Sequence, residues 1–213
     1  MNPRVRIKIC GITNLEVAQA AVHAGADALG FVFYEKSPRY ITLEQAHTII
    51  QQLPPFVSKV GLFVNASAAE IRAVLDRVPI DILQFHGQES EADCQQWNKP
   101  YIKAMGVRSP EHLAAELCRY PSAAALLLDA YAEVLMGGTG QAFNWHWFPS
   151  GVRQPLILAG GLTPENVVEG ILQTRPYAVD VSSGVESHRG VKDIARIQSF
   201  IKNVRTACHS KKE

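Results

Sequence analysis

The feature that most constrains the fold is an alternation that runs along the whole chain. Eight apolar runs rich in β-branched residues recur, and amphipathic segments lie between them. Most of these runs are nearly continuous in apolar character, which is typical of strands buried on both faces of a parallel sheet. The predicted strands are Val5–Cys10, Ala28–Phe33, Val57–Val64, Ile80–Phe85, Tyr101–Met105, Ala124–Leu128, Leu156–Ala159 and Ala178–Val181.

The segments between the runs show helical periodicity, with apolar residues on one face. Strand then helix, repeated around eight strands, predicts an α/β fold of one domain over residues 1–213, a single (β/α)8 TIM barrel. We expect residues 207–213 to form a frayed C-terminal tail. An open doubly wound sheet is the alternative, but no Gly-x-Gly-x-x-Gly follows the first strand. The predicted helices are Leu15–His23, Leu43–Leu53, Ala68–Val78, Ser90–Trp97, Pro110–Cys118, Pro164–Leu172 and Val191–Val204.

Composition excludes several classes of partner. Lys and Arg number 21 against 20 Asp and Glu, so no basic excess favours nucleic acid. No apolar run approaches the roughly 18 residues of a membrane span, and we predict no membrane partner. The four cysteines are scattered, without Cys-x-x-Cys or zinc spacing. We therefore expect no disulfide framework, no metal and a cytoplasmic protein with reduced thiols.

Two reactive side chains end strands of the predicted barrel. In such barrels the carboxyl ends of the strands share one rim, where catalytic residues collect. Cys10 ends the first strand and Asp129 follows the sixth, so the two could act as a base and an acid from opposite sides of the mouth. Alternatively, Cys10 could be a small buried apolar residue and Asp129 could cap a turn.

Glycine-bearing loops follow the last two strands. Backbone N–H groups of these loops commonly bind phosphate in such barrels, and the sequence predicts a phosphorylated small-molecule ligand. Tight turns without a ligand are the alternative. The candidate residues here are Gly160 and Gly161 after the seventh strand, and Asp180, Ser183 and Gly184 at the eighth.

Three further features face the same predicted rim. Arg39, after the second strand, could bind a carboxylate through two N–H groups or lie on a surface turn. His86, after the fourth strand, could exchange protons, although we favour a supporting role for it. The stretch 131–151 is glycine-rich in part and predicts a loop that orders over a substrate.

Several motifs in order along the chain resemble the phosphoribosylanthranilate isomerase family of tryptophan biosynthesis. The resemblance implies an Amadori rearrangement of N-(5-phosphoribosyl)anthranilate to 1-(2-carboxyphenylamino)-1-deoxyribulose 5-phosphate, without metal or organic cofactor. The motifs are Lys8-Ile-Cys-Gly-Ile-Thr13, Gly30-Phe-Val-Phe33, Ser37-Pro-Arg-Tyr40, Leu83-Gln-Phe-His-Gly87, Leu127-Leu-Asp-Ala130, Gly138-Thr-Gly140, Leu158-Ala-Gly-Gly-Leu162 and Asp180-Val-Ser-Ser-Gly-Val-Glu186.

The resemblance also assigns roles. It implies that Cys10 is the general base, that Asp129 is the general acid and that Arg39 binds the anthranilate carboxylate. The positions whose backbone amides would bind the phosphate, or which line the family's site, are Gly160, Gly161, Ser183, Gly184, Asp180 and His86.

Two other functions stay open at this stage. The sister isomerase of histidine biosynthesis has a similar fold, but its base is an aspartate where this chain has Cys10. A non-catalytic phosphate-binding barrel would need neither Cys10 nor Asp129. The sequence is compatible with either a monomer or a homodimer.

Overall fold

The computed structural model describes residues 4–130 and 144–209, and its centre is a closed barrel of eight parallel strands. The strands follow one another in chain order, and the eighth pairs with the first through a register that runs from Arg6 opposite Ala178 to Ile9 opposite Val181. The predicted (β/α)8 barrel is thereby confirmed. The strands are β1 Arg6–Cys10, β2 Ala28–Val32, β3 Ser58–Phe63, β4 Ile82–Phe85, β5 Tyr101–Val107, β6 Ala125–Ala130, β7 Leu156–Leu158 and β8 Ala178–Val181.

Helices surround the barrel, and none in the described ranges is long and apolar enough to cross a membrane. Thr42, Ser67 and Ser90 each begin a helix with a reciprocal capping box. A cap of this kind stabilises a helix by about 1 kcal/mol, so the helix starts are encoded locally. The helices are α1 Leu15–Ala24, α2 Leu43–Ile50, α3 Ala68–Arg77, α4 Glu91–Gln95, α5 Pro110–Leu117, α6 Val167–Thr174 and α7 Ile194–His209.

Helix α6 starts later than the predicted Pro164. The N–H of Thr163 donates to Asn166 Oδ1, and the N–H of Glu165 donates to Thr163 Oγ1. These bonds fold residues 163–166 into a turn, and the helix begins only after it.

The start of the last predicted helix is a β-hairpin instead. Strand β9, Glu186–His188, pairs antiparallel with β10, Val191–Lys192, and α7 begins at Ile194. The helix then continues to His209, into the stretch 207–213 where the sequence predicts a tail. Residues 210–213 lie outside the described ranges, as do residues 131–143 of the predicted loop 131–151.

The core has two parts, one on each face of the strands. The outer faces of the strands pack against the helices in a large apolar cluster that includes Ile7 and Ile9. Small and branched residues fill the middle of the barrel, among them Ala104 and Leu127. Because strand side chains alternate, Lys8 and Cys10 point into the barrel between these outward residues. The carboxyl end of the barrel interior therefore holds these two reactive side chains beside the apolar residues Val32 and Leu62.

Candidate active site

A cavity of about 350 Å³ opens at the carboxyl end of the barrel. Every strand except β5 contributes to its lining directly or through the following loop. Eight of the nine predicted site residues line it together, and Gly184 lies next to the lining residue Ser183. The eight are Cys10, Arg39, His86, Asp129, Gly160, Gly161, Asp180 and Ser183.

Cys10 lies at the floor of the cavity and is only 4% exposed. Burial raises the pKa of the Cys10 thiol above its ordinary value, while the ammonium of Lys8 opposes the rise. Lys8 donates to Asp180 Oδ1 at 2.9 Å, so a buried ion pair lies close to the thiol. Cys10, Cys94 and Cys118 are free thiols.

Asp129 and His86 face each other across the cavity wall. His86 Nε2 lies 3.4 Å from Asp129 Oδ2, and the other ring nitrogen, Nδ1, lies 3.4 Å from Nε2 of Gln84. Gly160 lets the loop after β7 approach this carboxylate, since a Cβ there would lie 2.6 Å from Asp129 Oδ1. His86 and Asp129 thus lie side by side, and both line the cavity.

Arg39 is held at the rim by an ion pair that the sequence does not reveal. Its Nε and Nη2 donate to the two carboxylate oxygens of Glu186 at 2.7 and 2.9 Å. Glu186 also accepts from Lys192 Nζ at 2.6 Å. Although burial works against it, these donors lower the pKa of Glu186 to about 2. Two of the five guanidinium N–H groups of Arg39 are thus engaged, and among the described residues the other three have no hydrogen-bond partner.

The loops after β7 and β8 touch each other. A Cβ at Gly184 would lie 1.8 Å from the carbonyl oxygen of Leu162, so no larger residue fits without moving a loop. Gly160 and Gly161 both have positive φ, at 77° and 65°. Within the described ranges their N–H groups donate to no protein acceptor, which leaves both available to an anion.

Sequence reasoning missed the charged residues beneath the site. The side chains of Lys8, Glu186 and Lys192 are buried. Lys8 pairs with Asp180, Glu186 pairs with Arg39, and Lys192 pairs with Glu186 in turn. A lysine within an otherwise apolar run is itself a signal, because Lys is rarely fully buried without a partner. The partner could not be identified, since Lys8 and Asp180 lie 172 positions apart. Among the side chains that the structure describes, no cluster of His, Cys, Asp and Glu is suited to a metal.

The comparisons with known proteins agree on one family. The family model described as N-(5'phosphoribosyl)anthranilate (PRA) isomerase matches residues 7–203. A Pseudomonas fluorescens N-(5'-phosphoribosyl)anthranilate isomerase is 60% identical over 201 residues, which cover 94% of this chain and 98% of that protein. A Pseudomonas aeruginosa protein of the same name is 53% identical over 204 residues, with 96% and 97% covered.

Solved structures give the same result. The crystal structure of phosphoribosyl anthranilate isomerase from Thermotoga maritima is 45% identical, with a TM-score of 0.88 and coverage of 95% of this chain and 99% of that one. A second, 43% identical with a TM-score of 0.81 and the same coverage, is a complex with reduced 1-(o-carboxyphenylamino)-1-deoxyribulose 5-phosphate. With the barrel and the cavity described above, these matches show that the chain belongs to the N-(5'-phosphoribosyl)anthranilate isomerase family.

Proposed function

We propose that Cys10 and Asp129 are the general base and the general acid with which this chain isomerises N-(5'-phosphoribosyl)anthranilate, the family's reaction in tryptophan biosynthesis. The observation that carries the proposal is that the two side chains come from β1 and β6, on opposite sides of the barrel, and face one cavity. Family membership favours this reaction over the histidine-pathway isomerase and over a non-catalytic barrel.

Asp129 is suited to open the sugar ring. Protonation of the furanose ring oxygen lets the ring C–O bond break and leaves a Schiff base between C1 and the anthranilate nitrogen. The carboxylate that forms on Asp129 faces His86 Nε2 at 3.4 Å, and a proton on that nitrogen would stabilise it. His86 thus acts on the acid rather than on the sugar.

Cys10 is suited to the second step. The Schiff base acidifies the C2 proton, and the thiolate of Cys10 removes it to give an enolamine, which becomes the ketone when C1 gains a proton and the C2 hydroxyl loses one. A thiolate is the reactive form of cysteine in such a step. The two electrons lost at C2 are gained at C1 and the protons removed and added are equal in number, so the step balances without an outside oxidant or reductant.

The two anionic groups of the substrate have separate binding groups. The amides of Gly160, Gly161, Ser183 and Gly184 would bind the phosphate, and the three remaining N–H groups of Arg39 would bind the anthranilate carboxylate. The 43% identical isomerase structure is a complex with a ligand that carries both a phosphate and a carboxylate, which supports binding of two anions by a site of this family. Asp180 lines the cavity and acts through Lys8.

Substitution at the two reactive residues tests the proposal. We expect Cys10→Ser and Asp129→Asn each to lower kcat by about a hundredfold or more, the usual contribution of a positioned acid or base. The loss of substrate fluorescence follows turnover. Cys94→Ala is the matched control, since Cys94 is buried in α4, away from the cavity, and this variant should keep the kcat of the parent. Unchanged turnover in either site variant, with chemistry rate-limiting, would refute the assignment.

Arg39 has a distinct test. We expect Arg39→Met to raise KM about tenfold or more while changing kcat less, because the lost bonds serve binding in both the ground state and the transition state. An unchanged KM would remove the carboxylate-binding role.

We also infer a cytoplasmic location, since free thiols are typical of a reducing compartment.

The oligomeric state of the chain is a separate question. One similar solved structure, 41% identical, is of monomers generated from the dimeric Thermotoga maritima isomerase. Light scattering of the purified chain would decide between monomer and homodimer.

A further inference from the structure

Lys8 lies inside the barrel directly below Cys10. Its neighbours Ile7 and Ile9 pack outward in the helix-facing core, and strand alternation turns Lys8 inward with Cys10. The Lys8 side chain is 5% exposed. It does not line the cavity, so a substrate in the cavity would meet Cys10 and not Lys8.

Gly30 on the neighbouring strand makes room for both side chains. Cys10 pairs with Gly30, and Lys8 pairs with Ala28. A Cβ at position 30 would lie 2.8 Å from Cys10 Sγ and 3.2 Å from Lys8 Cε. The lysine stem and the thiol therefore both pack against Gly30, and they are close neighbours.

The lysine is held in its charged form. Lys8 Nζ donates to Asp180 Oδ1 at 2.9 Å, and this carboxylate is itself buried. Although burial disfavours the ammonium, Asp180 and Cys10 together hold the pKa of Lys8 above its ordinary value. A buried ammonium beside a thiol stabilises the thiolate strongly, because little water screens the charge.

We propose that Lys8 is a positioning residue for the reaction, the counter-ion that stabilises the thiolate form of Cys10 against the effect of burial and so sets the pH range in which this base works. The proposal rests on Cys10 being the base. The other charged groups that act on the thiol are Asp180 from β8, which opposes the thiolate, and Lys192 from the hairpin, which favours it. Lys8 is the nearest cation on the strand of Cys10 itself, and its effect on the thiol exceeds that of Asp180.

The test measures the ionisation of Cys10 without substrate. Iodoacetamide alkylates the thiolate, so the alkylation rate of the Cys10 peptide, followed by mass spectrometry between pH 6 and 10, reports its titration. We expect Lys8→Met to move the midpoint to higher pH and to slow alkylation at pH 7 by about tenfold, the effect of losing one nearby charge. Exposed Cys118 in the same sample is the internal reference.

A second variant covers the case in which Lys8→Met does not fold because Asp180 is left buried and unpaired. The double variant Lys8→Met/Asp180→Asn removes both charges and keeps both shapes. Its midpoint should also rise, though by less, because Lys8 acts on the thiol more strongly than Asp180 does.

Lys103 supplies a matched control. It is as buried as Lys8 and pairs with Glu89 at 2.9 Å, but it lies on β5, which does not reach the cavity. Lys103→Met should cost comparable stability and leave the Cys10 midpoint unchanged.

The outcomes separate the two proposals. If the Cys10 midpoint stays in place in Lys8→Met and in the double variant, or moves equally in Lys103→Met, the role of Lys8 is refuted. If the alkylation midpoint moves while the acidic limb of kcat/KM does not follow it, Cys10 is not the base and the proposed function fails instead.

Discussion

At the scale of single residues, glycine decides how closely the loops after β7 and β8 approach each other. The predicted Cβ contact of 1.8 Å between position 184 and Leu162 O means that Gly184→Ala must push these loops apart. The amides of Gly161 and Ser183 would then lose their common target. We expect Gly184→Ala to raise KM about tenfold and to weaken inhibition by inorganic phosphate by a similar factor.

Gly151→Ala is the control for that substitution. Gly151 has a φ of 77°, but a Cβ there would meet nothing within 4 Å. It should cost roughly 1 kcal/mol of stability through backbone strain and leave KM unchanged. If both alanine variants raised KM equally, the close approach of the two loops would not explain phosphate binding.

The pH dependence of activity is also determined at this scale. A general base works only when deprotonated, so if Cys10 is the base as proposed, its raised pKa moves the acidic limb of kcat/KM to higher pH. We expect this limb to have its midpoint above the roughly 8.5 of a free thiol. Cys10→Asp should move it down by several units, since a carboxyl group ionises near pH 4 in water. A limb at the same pH in both proteins would show that another group is titrating.

Among single residues, the sequence predicted positions better than partners. Cys10 and Asp129 could be located because each ends a strand, and strand ends share a rim. The ion-pair partner of Arg39 could not be predicted, because Glu186 lies 147 positions away and belongs to a hairpin with little periodicity. The Arg39 guanidinium therefore has a protein partner as well as the predicted substrate carboxylate.

At the scale of elements, the β9–β10 hairpin fixes the rim of the site. Glu186 joins Arg39 to Lys192, and its pKa of about 2 is well below the ordinary value near 4.5. A depressed pKa contributes stability that is present above pH 4.5 and is lost as pH falls toward 2. We expect the unfolding free energy to fall by roughly 3 kcal/mol over this window through Glu186 alone.

Glu186→Gln tests this contribution by denaturant unfolding at several pH values. The variant should be less stable than the parent at pH 7 and should show a smaller loss between pH 4.5 and 2. Glu44→Gln is the control, because Glu44 is 74% exposed and pairs with Arg77 at 3.3 Å on the surface, where ion pairs contribute little. Equal acid sensitivity in the parent and in Glu186→Gln would contradict the assignment.

The elements differ in how far they could be predicted. Barrel strands have an apolar pattern that follows from burial on both faces. One example is β3, which was predicted as Val57–Val64 and is found at Ser58–Phe63. The hairpin residues alternate without an apolar face, and their pairing depends on the ion pairs of Glu186. A helical pattern from Val191 was therefore the wrong interpretation of residues that tertiary contacts place in a strand.

At the scale of the whole molecule, the net charge of +1 conceals a strongly charged interior. Lys8 and Lys192 lie beneath the cavity, but Asp180 and Glu186 balance them. In the proposed function, oriented amides and the other N–H groups of Arg39 would bind the substrate's two anionic groups, and a count of charges could not have located these groups. The opposite end of the barrel has no such task, and its contacts serve stability.

Arg205 illustrates that division between the two ends. Its Nη2 donates to Gly25 O at 2.6 Å, where α1 ends and the chain turns toward β2, so it joins the first helix to the last. Charged hydrogen bonds of this kind contribute about 1.5–3 kcal/mol. We expect Arg205→Met to lower the unfolding free energy by about 1–2 kcal/mol in denaturant titrations and to leave kcat and KM within twofold of the parent.

Lys202→Met on the exposed face of the same helix is the control, and it should change neither stability nor kinetics measurably. Gly184→Ala should show the reverse pattern to Arg205→Met, with a larger change in KM than in stability. Arg205→Met could lower kcat/KM tenfold at a temperature where the variant is fully folded. That result would mean that the contact between α1 and α7 affects the geometry of the site at the carboxyl ends of the strands. The separation between a stabilising end and a catalytic end would then not hold in this barrel.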